Sequence, residues 1–388
     1  MAFFRNATIN LLNLHYAIHS IAMTGGGAFF AAYLVKAGVP PAGVFLSFAG
    51  ILLGRFLVRP LVVTLAVRFG LRALVVTGTL LSAIQYPLLA AVHGVGPALY
   101  ALCAMASLGD TVYWPTYHAY FASLGDDDHR GHQLGAREAI AALVGVVSPL
   151  ATGWMLVTVG PRFAFGTMAF VVAASALPLL WTPEIKIAKS APGAFRAALP
   201  GVLFFLGDGF VCAGYVFVWQ VALFLSLGEN IMAFGGALAI AALVGAVGGM
   251  FLGRHIDGGN GGRAAFIAFG TVALIVLLRA AATHNAALAV LANALGALGS
   301  CLYIPTLMTA VYTLAKRAPC TLRFHVATEG GWDAGGAAGL LAAALLTWLG
   351  LPLWTAILLS LLGVASGLLL LRHYYRDHAA ALSAAQAR

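Results

Sequence analysis

Charge is what this 388-residue sequence has least of. Asp, Glu, Lys and Arg together make up 9% of it, against roughly a quarter in a soluble globular domain. That scarcity, beside 62% hydrophobic residues, excludes a water-soluble fold. Alternating strand patterns of about ten residues are also missing, which excludes a transmembrane β-barrel. The four cysteines, Cys103, Cys212, Cys301 and Cys320, form no CxxC pair, so neither a disulfide framework nor a metal site is expected of them. They read as small buried apolar residues. No GxxxxGK[ST] occurs and no polar stretch is long enough for a soluble domain, which argues against ATP-driven pumping. An intramembrane enzyme would need a nucleophile with its base or a zinc set such as HExxH, and the sequence has neither. A basic tract interleaved with aromatics is absent too, so the net charge of +9 does not read as a nucleic-acid surface. No cofactor is expected.

What is present is apolar helix. Stretches of about 20 apolar residues suit a helix crossing the hydrocarbon core, and twelve are read here: 9–36, 41–67, 71–94, 96–123, 133–158, 161–182, 199–227, 231–256, 262–282, 285–315, 321–348 and 350–372. The first is too long for the apolar core of a signal peptide. Twelve crossings put both termini on one side. Lysine and arginine mark that side as cytoplasmic: the N-terminus and even-numbered loops hold Arg5, Arg68, Arg72, Arg130, Arg137, Lys186, Lys189, Arg196, Arg254, Arg263, Lys316, Arg317 and Arg323. The opposite side has Lys36, Arg162 and, near a helix end, Arg279. An all-α polytopic protein of the inner (plasma) membrane is expected, a monomer whose surroundings are the lipid bilayer.

The chain also repeats itself. "GDTVYWPTYH" (109–118) returns as "GSCLYIPTLM" (299–308) with glycine, tyrosine, proline and threonine in register, Asp110 becoming Ser300 and His118 becoming Met308. The same offset of 190 carries Gly38 onto Gly228, and "VTLAVRFGLR" (63–72) onto "GRHIDGGNGG" (253–262). The expected organisation is two pseudo-symmetric six-helix bundles, residues 1–182 and 199–388, joined by a cytoplasmic linker at 183–198. Repeats of this kind place a substrate site near the bilayer midplane between the halves, and one half rocks against the other to alternate access.

With this topology and with "RFGLR" following span 2, the chain resembles the major facilitator superfamily over nearly its whole length. The resemblance implies the twelve-helix fold of that family and a loop latch on the cytoplasmic side. Arg68 and Arg72 belong to the first copy of the latch, where Val63 and Val67 replace the family's glycine and aspartate. The second copy keeps Gly253 and Asp257, with Arg130 and Arg137 placed to meet Asp257. Span 5 is similar to the family's antiporter motif at Gly135, Pro149 and Gly153, while Val144, Ser148 and Thr152 stand where glycines are expected. The resemblance also places spans 1, 4, 7 and 10 around a central cavity, and spans 2 and 11 across the interface of the halves.

Ionisable residues inside a bilayer are costly and usually face a cavity or a partner. Here they come in i, i+4 sets that share a helix face: His15 and His19, Arg55 and Arg59, Asp110 with Trp114 and His118, Glu329 and Asp333, with Asp208 alone on span 7. Asp110, Asp208, His15, His19 and His118 are candidate cavity residues, with Asp110 or Asp208 as the site of a coupling proton. Tyr113, Trp114, Trp219 and Tyr303 are candidate cavity walls. Spans 2 and 11 run in opposite directions, and counting helical residues inward sets Arg59 level with Glu329 at about eight and Arg55 level with Asp333 at about twelve. Two interdomain ion pairs are therefore expected; alternatively, Arg55 faces the cavity and takes an anionic substrate. "DDDHRGHQLGARE" (126–138) reads as a solvated loop rather than as a metal site of Asp126, Asp127, His129 and His132. The three glycines at 25–27 imply a bend in span 1 or close packing against a neighbour.

The function expected is secondary active transport of a small organic solute by alternating access, coupled to protons, with a lean toward export. Uptake of an organic anion at Arg55, or a receptor or scaffold that transports nothing, stand as alternatives.

Overall fold

A polypeptide inside a membrane must satisfy its backbone hydrogen bonds internally, and helix does so within each segment. The structure, a computed structural model, describes the backbone of residues 6–124, 130–252 and 261–386 and the side chains of 6–124, 143–249 and 262–376; helix is the regular structure found there. The first part of the chain builds α1 (Ala7–Thr24), α2 (Phe30–Lys36), α3 (Pro41–Val58), α4 (Pro60–Phe69), α5 (Leu71–Ala90), α6 (Pro97–Leu124), α7 (Arg130–Thr158) and α8 (Pro161–Ser175). The remainder builds α9 (Ala194–Cys212), α10 (Trp219–Ser226), α11 (Ile231–Leu252), α12 (Gly261–Ala282), α13 (Ala286–Arg317), α14 (Thr321–Trp348), α15 (Leu353–Leu358) and α16 (Ser360–Gln386). Among the described residues, nine helical segments are long and apolar enough to cross a membrane, and Pro60–Phe69 and Leu143–Thr158 are shorter apolar helices. α6 and α14 are also of spanning length, with Asp110 inside α6 and Glu329 and Asp333 inside α14.

Three breaks in these helices bear on function. The stretch 9–36 is not one helix: α1 ends at Thr24, Gly25 and Gly26 turn the chain, and a 3₁₀ turn at Gly27–Phe29 leads into α2. Both expectations for the glycines hold together, because a Cβ on Gly25 would stand 2.6 Å from Thr152 Oγ1 and one on Gly26 2.5 Å from the Tyr86 ring. The stretch 41–67, expected as one span, divides into α3 and α4. Pro60 has no N–H to return to Phe56, so the ladder is interrupted at Arg59. In the stretch 199–227 a π-helical turn at Ala213–Val218 separates α9 from α10.

The 190-residue repeat reaches individual bonds. Cys103 Sγ donates to the Ser47 carbonyl at 3.7 Å, and 190 residues on Asn293 Nδ2 donates to the Ala237 carbonyl at 3.1 Å. Likewise Thr111 Oγ1 lies 3.5 Å from the Arg55 carbonyl and Cys301 Sγ 3.3 Å from that of Gly245. Gly38 and Gly228 both adopt positive φ, 88° and 66°, and each closes a helix with the same pair of backbone bonds, Gly38 to Val35 with Val39 to Leu34, and Gly228 to Leu225 with Glu229 to Phe224.

α14 packs along α9 and across α3, and α7 packs along α11. The α9–α14 seam is made by glycine. A Cβ on Gly335 would collide with the Leu206 carbonyl, one on Gly331 with that of Val202, and one on Gly209 with that of Trp332. Small residues that let backbones approach are the usual means of helix association where lipid removes the hydrophobic drive. This approach brings Asp208 of α9 beside Trp332 of α14.

Candidate functional site

At the C-terminal end of α3, Arg55 and Arg59 stand one turn apart, and α14 presents Glu329 and Asp333 in the same way. Arg59 donates from Nη1 to Glu329 at 2.9 Å and from Nε to Asp333 at 2.9 Å, with a still closer contact from Nη2 to Asp333. Arg55 Nε lies 2.9 Å from Asp333 Oδ1 but without the alignment of a hydrogen bond. Its Nη1 and Nη2 are 3.7 Å from Asp110 and 3.9 Å from Glu329. The two expected pairs are thus parts of one cluster of five charges. Asp333 is fully buried at its centre, and Asp110 of α6 joins at the edge. The Arg55 guanidinium also sits 5.4 Å from the centre of the Trp332 ring.

Two cavities meet at this cluster. The first, about 520 Å³, is lined by His19, Gln85, Asp110, Gln220, Arg55 and Trp114 among others. The second, about 460 Å³, is lined by His118, Asp208, Tyr303, Trp332 and again Arg55 and Trp114. Where one stretch of chain lines both, the lining changes cavity at one level. On α3 the first cavity takes Phe48 to Arg55 and the second only Arg55; on α6 they divide at Trp114; past α9 they divide between Val216 and Phe217. Arg55 and Trp114 are therefore a common wall between two stacked spaces.

Asp208 is held differently from Asp110. Tyr303 donates its hydroxyl to Oδ1 at 2.6 Å and Trp332 its indole N–H to Oδ2 at 3.0 Å. Among the described residues no cation forms an ion pair with Asp208.

Three of the expected cavity residues point elsewhere. His15 is fully buried between helices, with Nδ1 2.7 Å from the Ser175 carbonyl and Nε2 2.9 Å from the Tyr113 hydroxyl. Tyr113 stacks on His19 with ring centres 4.5 Å apart and lines neither cavity. Trp219 donates to Asn293 at 3.0 Å and is buried. The reason is rotational: neighbours on a helix are about 100° apart, so Trp114 faces the cavities and Tyr113 turns into the core. His19, His118, Asp110, Asp208, Trp114, Tyr303 and Arg55 do line a cavity.

Sequence reasoning missed Gln85, Gln220, Trp332 and His325. Trp332 carried a signal, since it adjoins Asp333 and follows Glu329 by three positions. His325 lies against His118 across α14 and α6, ring centres 5.9 Å apart. Arg279, read as a helix-end charge, is buried. It donates from Nη1 to the Tyr215 carbonyl and lies over the Tyr215 and Trp219 rings at 4.0 and 5.0 Å.

Of the expected latch, Arg72 engages the linker. Its guanidinium donates to the Thr182 carbonyl at 2.9 Å and stands 3.5 Å from Glu184, whose carboxylate also accepts the backbone N–H of Arg72 and Ala73 at the start of α5. Arg68 lies 5.3 Å from the Phe69 ring, and its carbonyl accepts from Lys186. Arg323 of α14 donates to the carbonyls of Ala188 and Lys189. The linker so bridges both parts of the chain. Gly253, Asp257, Asp126, Asp127, His129 and the side chains of Arg130, His132 and Arg137 lie outside the described residues.

The family model described as Major Facilitator Superfamily matches residues 12–321. Solved structures similar to this one include a POT family transporter in complex with 5-aminolevulinic acid, at 14% identity, 96% of each chain covered and a TM-score of 0.70. The POT family transporter PepTSo is similar at 12% identity, over 96% of this chain and 99% of that one, with a TM-score of 0.68. A POT family transporter in complex with a thioalcohol-conjugated peptide is similar at 14% identity, over 94% and 95%, with a TM-score of 0.68. At these identities the likeness is one of fold. No curated protein matches the sequence.

Proposed function

This chain belongs to the major facilitator superfamily, a family of transporters rather than enzymes, and we propose that it carries a small organic solute by proton-coupled alternating access. The observation that carries this reading is the charge cluster at the wall between two cavities. Arg55 and Arg59 belong to one part of the chain and Glu329 and Asp333 to the other, so separation of the two parts must break these contacts. Buried ion pairs that lose one partner are strongly destabilised, which makes the open and closed arrangements discrete. Asp110, at the edge of the cluster and facing the first cavity, can exchange the Arg55 contact for a proton, and Asp208 is the second candidate for that role.

In this reading the chain crosses the plasma membrane twelve times, with the nine apolar segments supplemented by α6, α7 and α14. Residues 1–182 and 199–388 form the two rocking bundles, and both termini are cytoplasmic. Export is the favoured direction. Its support is the partial antiporter motif of span 5, where the Pro149 carbonyl approaches Gly235 closely enough that a Cβ there would be 2.8 Å away. An anion at Arg55 is disfavoured, because three carboxylates already surround that guanidinium.

The test is solute flux in proteoliposomes under an imposed pH gradient, using solutes that raise the thermal stability of the purified protein. Gradient-driven movement that collapses with a protonophore is expected. In Asp110→Asn the gradient should lose its effect while solute exchange persists. Flux indifferent to the protonophore would overturn proton coupling.

A further inference from the structure

We propose that the cavity around Asp208 is a binding site for a monovalent organic cation, an amine or quaternary ammonium with an apolar body. The assignment deepens the transport reading by naming the solute's chemistry. It begins with charge. Arg55 and Arg59 are faced by Asp110, Glu329 and Asp333, and Asp208 brings the carboxylates to four against two guanidiniums. Charge taken out of water needs a counter-charge, and the arginines are consumed by the other three acids. Among the described residues Asp208 has only neutral donors, one on each oxygen, from Tyr303 and Trp332. A carboxylate has about four acceptor positions, so each oxygen retains one for an ammonium N–H or for the electrostatic approach of a quaternary nitrogen.

The walls suit the same ligand. Trp114, Tyr215, Tyr303 and Trp332 line this cavity; Tyr215 and Trp332 already carry Arg279 and Arg55 on one face, so Trp114 and Tyr303 are the rings whose quadrupole can attract a ligand cation. Val211, Val272, Ile304 and Met308 supply apolar surface for the rest of the molecule. The volume of about 460 Å³ lies within the range of small-ligand sites. A zwitterion or an anion is poorly served. It would need an available cation: Arg55, which shares the wall, already has Asp333 at 2.9 Å with Asp110 and Glu329 below 4 Å, Arg279 is turned onto the Tyr215 carbonyl and the Tyr215 and Trp219 rings, and His118 stacks on Trp114. Asp110 is distinct, since it answers to Arg55 and faces the other cavity.

The test uses the purified full chain in lipid nanodiscs with three probes of similar size: benzyltrimethylammonium, benzyl alcohol and benzenesulfonate. Binding is followed by calorimetry and by the fluorescence of the tryptophans lining the cavity. Saturable binding of benzyltrimethylammonium alone is expected. Asp208→Asn should weaken it by about tenfold or more, the loss of one charged interaction, while Asp208→Glu retains it and Glu229→Gln, at an exposed acid outside both cavities, changes it by less than about twofold. Cys212 lines the same cavity one turn from Asp208, so benzyltrimethylammonium should slow its alkylation by N-ethylmaleimide in the wild-type protein, a readout that needs no variant to fold. Benzenesulfonate binding as tightly, unchanged affinity in Asp208→Asn, or unprotected Cys212 would each overturn the proposal. Binding without flux in vesicles would keep this site and remove the transport reading. Flux of another solute with Asp208→Asn unaffected would do the reverse.

Discussion

Asp333 and Glu329 sit one turn apart on the same helix and face the same two arginines, yet their surroundings differ. Asp333 has no accessible surface and meets both guanidiniums, whereas Glu329 borders the second cavity and retains some exposure. Removing the charge of Asp333 leaves two buried cations short of a partner that water cannot replace, a loss of about 3–5 kcal/mol for a broken buried pair. Glu329→Gln should cost less, about 1–3 kcal/mol, because the amide can still accept a hydrogen bond and water can reach it. The midpoints of thermal unfolding in nanodiscs should therefore fall in the order wild type, Glu329→Gln, Asp333→Asn. If the two variants melted together, Asp333 would not be the centre of the cluster. Much of this cluster was legible beforehand. Charges four apart on apolar helices must find partners, and opposite helix directions paired them by depth. The third acid was not legible, because bringing Asp110 to Arg55 depends on how α6 is rotated, and a helix with a polar residue on several faces does not announce its rotation.

The π-helical turn at Ala213–Val218 shows how an irregular element is stabilised. The Trp219 N–H reaches back five residues to Gly214 and so passes over Tyr215, whose carbonyl accepts Arg279 instead. A carbonyl left without a donor in the membrane interior costs about 1–3 kcal/mol, and the guanidinium also packs on the Tyr215 and Trp219 rings. Arg279→Leu should consequently lower the unfolding midpoint by several degrees, on the order expected for 1–3 kcal/mol in a large chain. Amide exchange across 213–220, read by mass spectrometry, should rise at the same time. Unchanged exchange there would mean that the turn is held by its own packing. Nothing in the sequence marked this turn, since π-bulges follow tertiary packing rather than residue preference. The break in the first span was different. Three glycines in a row are visible without any structure, and the close approach of Thr152 and Tyr86 explains why side chains are missing there.

At the scale of the whole molecule, helix and repeat were legible because each is a periodic property of the chain, apolar length in one case and an offset of 190 in the other. Which side chains face the interior was less so: Tyr113, Trp219 and His15 all belong to the right helices and turn away from the cavities. The stacked cavities lead to the broadest prediction. Gln220 lines only the first and Met308 only the second, with Arg55 and Trp114 between them. In the alternating-access reading, the first cavity opens to the outside when the second is closed, and the charge cluster is remade in each cycle. Single cysteines at Gln220 and Met308, in a background without the four native cysteines, should be labelled by a membrane-impermeant maleimide from opposite faces of sealed vesicles. Any condition that speeds labelling at one position should slow it at the other, because one wall serves both spaces. Replacing Arg55 and Trp114 together by alanine removes that wall, and labelling of both positions from either face should then follow. Reciprocal labelling that survives loss of the wall, or two positions that rise and fall together in the intact protein, would show that the two cavities are not successive stages of a single passage.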